Sequence, residues 1–323
     1  MVRNRIAHLF VAALVAISSA AFGAESYPSK PGRLIVPFGT GASTDIIARI
    51  YAQKFSEMWG QPLVVENRPG SGGVVGTEVA SRATPDGYTM LVYGINQTIT
   101  PAMYKKLPYD NLRDFAMISL YCTMPNMLIV HPSIAAKTVP EFVSLVKASP
   151  GKMRYVSSGI GASPHMTMEL LKTIYKLDIL HVPYKSAGQG YVDLTSGQLH
   201  AMFANLPGAL MHVRANRVRG IAVTSAKRAE QIPELPTFIE SGVPDFEVTV
   251  WVGIVVPAAT PKPVLDNLHA TMMKTLNAPD LKQRFFDQGV IAAPVSREEF
   301  MAWIKKERAR WAKVVKEAGI KPE

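Results

Sequence analysis

Residues 37–45 read Pro37-Phe38-Gly39-Thr40-Gly41-Ala42-Ser43-Thr44-Asp45. They follow RLIVPF at 33–38, a short apolar run of the kind that makes a buried strand. They precede 45–59, where Ile46, Ile47, Ile50, Phe55 and Met58 form an apolar stripe at helical spacing. A strand that turns through glycines into a helix is a βα unit. Small residues in such a turn let the backbone approach a ligand closely. Ser43 or Thr44 is expected to cap the helix, and the free N–H groups at its positive end form an anion site.

A second turn of the same kind stands at 157–165, Ser157-Ser158-Gly159-Ile160-Gly161-Ala162-Ser163-Pro164-His165. Ser163 suits the cap there and Pro164 the first helical position. Strand-like and helical runs alternate around both turns. The first series has strands at 33–38, 63–66 and 88–93, with a glycine-rich turn at 70–76 leading into a helix that reaches Arg82. The second has strands at 127–130, 155–157, 179–182, 201–203 and 221–224, with helices at 139–148, 164–175, 187–196 and 208–215. The remainder, with a strand at 248–256, helices at 263–277 and 279–288, and a terminal helix at 297–318, reads as a return to the first unit. The fold class is therefore α/β, with two lobes. Lobe 1 is expected at 25–122 and 227–323, and lobe 2 at 123–226. The chain would cross between them at 119–126 and 224–228. Ligands of open α/β sheets bind beyond the carboxyl ends of the strands, so both turns can line one cleft.

Composition fits that reading. The chain has 323 residues, 48% of them hydrophobic and 19% charged, enough for two ordinary lobes. Residues 1–24 have the form of a secretory signal peptide: Arg3 and Arg5, an apolar run at 9–22, then Gly23 and Ala24. The run is shorter than the ~20 residues of a spanning helix, so the mature chain is expected to be soluble in the periplasm. The single cysteine, Cys122, is far from the cleavage site, which argues against a lipid anchor and an internal disulfide. The formal net charge of +10 falls to +8 without Arg3 and Arg5. In an exported protein that charge suits attraction of anionic solutes better than binding of nucleic acid.

Enzyme readings find little support. Gly39 and Gly41, with Glu66 ending the next strand, imitate a dinucleotide fingerprint, but Thr44 stands where the third glycine belongs. There is no G-x-S-x-G elbow and no P-loop. A hydrolase using Ser158 as nucleophile and His165 as base is the alternative function. His131, His165, His181, His200 and His212 are scattered without metal-ligand spacing; neither a metal nor a cofactor is expected.

Several segments together resemble the substrate-binding proteins of tripartite tricarboxylate transporters, also called the Bug family. They are RLIVPF with its glycine-rich turn and TD, QPLVVENRPGSGG, PDGYTM, LPYDNLRDF, YVSSGIGASPH, HVPYKSAG, RGIAVTS with a following ELPTF, and the closing EAGIK. The resemblance runs from about Tyr27 to the C-terminus. It implies two α/β lobes on a hinge of two crossing strands, a type II-like periplasmic-binding-protein fold, capture of a small carboxylate, and delivery to membrane permease subunits by a protein expected to be a monomer. It also implies that backbone N–H groups of the two turns hold the carboxylate. The candidate ligand-binding residues are Phe38, Gly41, Ala42, Ser43, Thr44, Asp45, Asn96, Ser158, Gly161, Ala162, Ser163, Ala204 and Asn205. Two departures stand out. Ala42 occupies a position where the family commonly has glycine. Ala204 occupies one where relatives often have an aspartate, which argues against a ligand bearing an ammonium group.

Overall fold

The computed structural model describes residues 27–184 and 186–320. The expected leader at 1–24 lies outside them. Strands β1 (Gly32–Val36), β2 (Leu63–Asn67) and β3 (Thr89–Gly94) run parallel. Their crossovers carry helix α1 (Ser43–Trp59), then a short 3₁₀ turn and α2 (Val74–Ser81). Helix α1 buries Ile47, Tyr51, Phe55 and Trp59, one residue per turn at i, i+4 spacing. The sequence had put Met58 on that face; it is 42% exposed, and Tyr51 and Trp59 take the contact instead. Gly60 ends the helix in the left-handed region, its N–H returning to the Ser56 carbonyl.

Helix α3 (Ile95–Met103) follows β3 directly. It was not foreseen, because Asn96, Gln97, Thr98 and Thr100 are polar and Pro101 sits inside it. Gln97 fixes its start: Gln97 Oε1 accepts from the Gly94 N–H at 2.8 Å.

The long strand β4 (Phe115–Val130) joins the two lobes. Its first part pairs antiparallel with β9 (Thr249–Pro257) and, at Cys122 and Thr123, with β10 (Ile291–Ala292). Its last part, Asn126–Val130, pairs with β7 (Ala201–Asn205) and, over Met127–Val130, with β8 (Arg219–Val223). Parallel strands β5 (Arg154–Ser157) and β6 (Leu180–Pro183) extend the second sheet beyond β7. What was read as a short crossing at 119–126 is thus the middle of one continuous strand. The return is also displaced from 224–228. Ala229 and Ile232 pack on one face of the second sheet, and Phe238, Val243 and Phe246 on the other. The chain rejoins the first sheet only where Thr249 pairs with Pro125. Four hydrogen bonds lock this crossing. Thr224 N–H donates to the Asn126 carbonyl and Thr224 Oγ1 accepts from the Asn126 N–H. Thr224 Oγ1 also donates to the Val248 carbonyl, and the Val248 N–H donates to the Thr224 carbonyl.

The second lobe carries α4 (Val139–Ala148), α5 (Ser163–Tyr175), α6 (Ala187–Thr195) and α7 (Leu206–Arg214). Helices α8 (Lys262–Asn277), α9 (Pro279–Asp287) and α10 (Arg297–Glu317) cover the first. A Ser296–Glu299 capping box opens α10, and Phe300, Ile304, Trp311, Val314 and Val315 are its buried face, with Trp303 38% exposed. Among the described residues no helix is long and apolar enough to cross a membrane.

Candidate functional site

The two glycine-rich turns are local copies of one another. Gly39-Thr40-Gly41-Ala42-Ser43-Thr44-Asp45 leads into α1, and Gly159-Ile160-Gly161-Ala162-Ser163-Pro164-His165 into α5. Gly41 has φ 79° and Gly161 φ 75°, a region open to glycine and strained for other residues. Ala42 and Ala162, not the serines, are the N-caps, with φ −65° and −68°. These are ordinary extended angles, so the alanine methyl at 42 costs the turn nothing. In both turns the alanine N–H donates to the first glycine's carbonyl at 3.2 Å. In both, the glycine N–H is taken by the side chain four residues on: Gly41 by Asp45 Oδ2 at 2.9 Å and Gly161 by His165 Nδ1 at 3.2 Å. These four N–H groups, expected to face an anion, are occupied internally. The open donors lie one step further. Among the described residues the N–H groups of Ser43, Thr44 and Ser163 have no hydrogen-bond partner, as befits the first residues of a helix. Pro164 supplies none, so α1 offers two donors where α5 offers one.

Both turns border one cavity of ≈ 70 Å³ between the lobes, partly open to solvent. At ~10–15 Å³ of such space per water, it holds roughly five to seven waters, or a compact ligand. Five helices begin on its wall: α1 at Ala42 and Ser43, α3 at Gly94 to Asn96, α5 at Ala162 and Ser163, α6 at Ser186 and Ala187, and α7 at its N-cap Asn205. Each presents the positive end of its dipole. Among the described residues no lysine, arginine, histidine, aspartate or glutamate lines the cavity. Val92, Tyr191, Met202, Val250, Trp251 and Val252 make the apolar part of the wall. The lobes touch closely around it: a Cβ on Gly72 would lie 3.0 Å from the Ile160 carbonyl oxygen, and one on Gly39 3.8 Å from Ser186 Cβ.

Of the residues proposed from sequence, Phe38, Ala42, Ser43, Thr44, Asn96, Ser158, Ala162, Ser163 and Asn205 line the cavity, and Gly41, Asp45, Gly161 and Ala204 do not. Gly41 and Gly161 shape the turns from behind. Ala204 is buried in the core between the second sheet and α7. The sequence reading missed α3 as a helix, although it named Asn96, and it placed α6 at Ala187 and α7 within two residues of its start without giving the α6 start a ligand role, because it follows no glycine-rich turn. Tyr191, Met202 and Trp251 carried no local signal at all, since only the tertiary fold brings them to the wall.

The groups behind the turns are ionisable and well ordered. Burial pushes the Asp45 carboxyl up, but hydrogen bonds from Arg49, the Gly41 N–H and Asn67 outweigh it and hold the group below the usual carboxylate range. Its two oxygens are thus committed within the first lobe. Behind the second turn, His165 stacks on His181 at 4.2 Å, and His181 on Tyr155 at 4.7 Å. Tyr155 donates to Glu169 at 2.6 Å, Lys172 pairs with Glu169 at 2.8 Å, and Ser157 Oγ meets His181 Nε2 at 2.7 Å. Burial lowers the His165 pKa to about 4 and that of His181 to about 3, with help from the nearby Lys172. Ser158 and His165 make no hydrogen bond to each other, and His165 spends its Nδ1 on Gly161. The nucleophile–base pair required by the hydrolase alternative is not assembled.

Two carboxamides on the wall stand apart. Asn96 is 7% exposed, and among the described residues its buried Nδ2 and the buried Asn205 Oδ1 have no hydrogen-bond partner.

The architecture is shared with known proteins. BugT of Bordetella pertussis is 31% identical over 94% of this chain and 94% of its own length. A solved Rhodopseudomonas palustris protein with adipate is 32% identical at a TM-score of 0.89, covering 92% of this chain and 100% of that one. MatC from the same organism, with bound malate, is 28% identical at a TM-score of 0.84, covering 90% and 100%. Both have the two-lobe fold described above, and the family model that matches residues 47–320 is that of the tripartite tricarboxylate transporter family receptor. The chain therefore belongs to the family of tripartite tricarboxylate transporter receptors, solute-binding proteins of the periplasmic type.

Proposed function

We propose that this protein captures a small organic carboxylate, in the first place a dicarboxylate, between its lobes in the periplasm and passes it to membrane permease subunits. The observation that carries the reading is the convergence of five helix N-termini on one cavity that, among the described residues, has no charged side chain on its wall. Such a site attracts negative charge through N–H groups and helix dipoles. The ligands printed for two relatives, adipate and malate, are of the same class. The binding residues are Ser43, Thr44 and Ser163 through their N–H groups, with Phe38, Ala42, Asn96, Ser158, Ala162 and Asn205 completing the wall. An ammonium group would find no acid there to balance it, and Asp45 is already committed to Arg49, Gly41 and Asn67.

In this reading residues 1–24 direct export and are removed, the protein acts as a monomer, and it turns nothing over. The lobes hinge where β4 passes Asn126 and where the chain returns at 248–249. A thermal-shift screen of small mono-, di- and tricarboxylates against the mature protein, followed by calorimetry, tests the function. A ligand that binds only the folded state raises its melting temperature by mass action. One-to-one binding of a carboxylate without turnover is expected. Hydrolysis of a carboxylate ester that Ser158→Ala abolishes would overturn the reading.

A further inference from the structure

A second cavity, of ≈ 290 Å³, adjoins the first. Ser43, Ala187 and Tyr191 line both, so part of the wall is common to the two. Both lobes build it: Ile46 and Gln288 come from the first, His212 and Arg217 from the second. Val192 and Met211 on its rim are each 65% exposed, so it opens to solvent. Among the described residues Arg217 is the only lysine, arginine, aspartate or glutamate on its wall. Local structure puts it there. Helix α7 ends at Arg214, Asn216 with φ 53° turns the chain back, and the Arg217 N–H donates to the His212 carbonyl at 3.0 Å. The His212 ring stacks on Tyr191 at 4.2 Å, and burial, with the nearby Arg217, holds it below its ordinary pKa. The Arg217 residue is exposed, and among the described residues no carboxylate pairs with its guanidinium.

Resting on the carboxylate reading above, we infer that Arg217 is the residue that captures the anion from solution: it draws the anion to the lip of the second lobe, from which the anion passes to the Ser43 N–H as the lobes close. The pull of a helix N-terminus fades within about one turn. A full charge acts over roughly 8 Å at physiological ionic strength. The inner cavity has no charged side chain among the described residues, so an approaching anion meets the field of the guanidinium before it meets the N–H groups. Ser43 lines both cavities and carries one of the open N–H groups, which makes it the step from one to the other. Arg217 is a positioning residue and not a contact of the bound anion, because it does not line the inner cavity. Its charge therefore speeds association and leaves release alone, as charges on a rim do.

Stopped-flow kinetics test this. Trp251 lies on the wall of the inner cavity, so tryptophan fluorescence follows arrival there. The probe is the tightest binder of the carboxylate screen, malate and adipate being tried first. At low salt, Arg217→Gln should slow association about 3-fold and Arg217→Glu about 10-fold, with dissociation changed by less than about 2-fold. Added salt should slow association in the wild type and much less in either variant. Lys306→Glu makes the same charge reversal at an exposed position on α10 and should slow association less than about 2-fold, which separates the place of the charge from the net charge. Melting temperatures show that each variant is folded; should Arg217→Glu fail to fold, Arg217→Gln and the wild-type salt dependence decide. Association in the Arg217 variants no slower than in Lys306→Glu, wild-type association indifferent to salt, or faster dissociation at an unchanged association rate would overturn the inference and leave the carboxylate reading standing. Failure of every carboxylate screened to bind the wild type would instead remove the carboxylate reading, and this inference with it.

Discussion

At the scale of single residues, the two turns work because a side chain at the third helical position satisfies the strained glycine N–H. Asp45 and His165 do the same job with different chemistry, one with a carboxylate and the other with a neutral imidazole. His165 and His181 have folded pKa values far below the ordinary 6.5. The unfolded chain therefore binds protons that the folded one refuses. The stability they confer is present in full above about pH 6.5 and is lost as the pH falls towards about 4 and about 3, by up to about 1.4 kcal/mol per pH unit for each imidazole. Calorimetric unfolding from pH 7.5 to 4.5 should show that decline. His165→Gln keeps an acceptor but not the titration, and should flatten it; an equally steep decline in the variant would exclude His165 as a source. Hydroxyls matter less. Ser163→Ala removes an acceptor for Asn126, but Thr167 remains as the second partner of that amide. The loss of ligand affinity should be about 1 kcal/mol by titration calorimetry, and abolition of binding by this change alone would contradict a site built on the main chain.

Among the elements, the ones with strong local periodicity were legible in the sequence, and those defined by tertiary contact were not. The βα units of both lobes and the helices 139–148 and 279–288 could be placed within a residue or two, because each carries its own apolar pattern and turn chemistry. Helix α3 could not, since its buried face is polar: Gln97 accepts from the Gly94 N–H and donates to Thr77, and Asn111 donates to the Gln97 carbonyl and to Thr100. The return crossing was placed early because residues 229–246 lack regular structure, while Phe238 and Phe246 belong to a core no local pattern announces. For the site, the two glycine-rich turns were readable as anion sites; α6 and α7 were readable as helices, and only Asn205 at the start of α7 was given a ligand role. On the outer face of the first lobe, Glu307 of α10 accepts from the indole N–H of Trp251 at 3.1 Å and of Trp311 at 3.0 Å. Trp251 also walls the cavity, so a buried carboxylate on the terminal helix braces it. Glu307→Ala leaves two buried donors unpaired and should lower stability by roughly 2–5 kcal/mol in denaturant unfolding. Glu307→Gln keeps one acceptor oxygen and should lose less; equal losses would show that packing, not hydrogen bonding, is what matters there.

For the whole molecule, the arrangement in which the lobes meet around the cavity is the form a bound ligand would select. The lobes meet through Gly39, Gly72, Ile160 and Ser186, and among the described residues the chain links them at two places, β4 and the 248–249 return. A saturating carboxylate should therefore reduce the radius of gyration in small-angle scattering, as expected of hinge closure, and an unchanged radius at saturation would contradict a hinge there. The central claim is that open main-chain N–H groups at helix starts hold the anion. Thr44→Pro tests it most directly. It removes one N–H and leaves the charge of the protein unaltered, and it reproduces at α1 the Ser-Pro start that α5 already adopts at Ser163 and Pro164. Thr44→Ala, which removes the hydroxyl alone, is its control. Titrated with the tightest dicarboxylate, Thr44→Ala should bind within a few-fold of wild type. Thr44→Pro, with its melting temperature preserved, should bind about 10-fold or more weakly, the worth of a hydrogen bond to a charged group. Equal affinity in the two variants would contradict the claim.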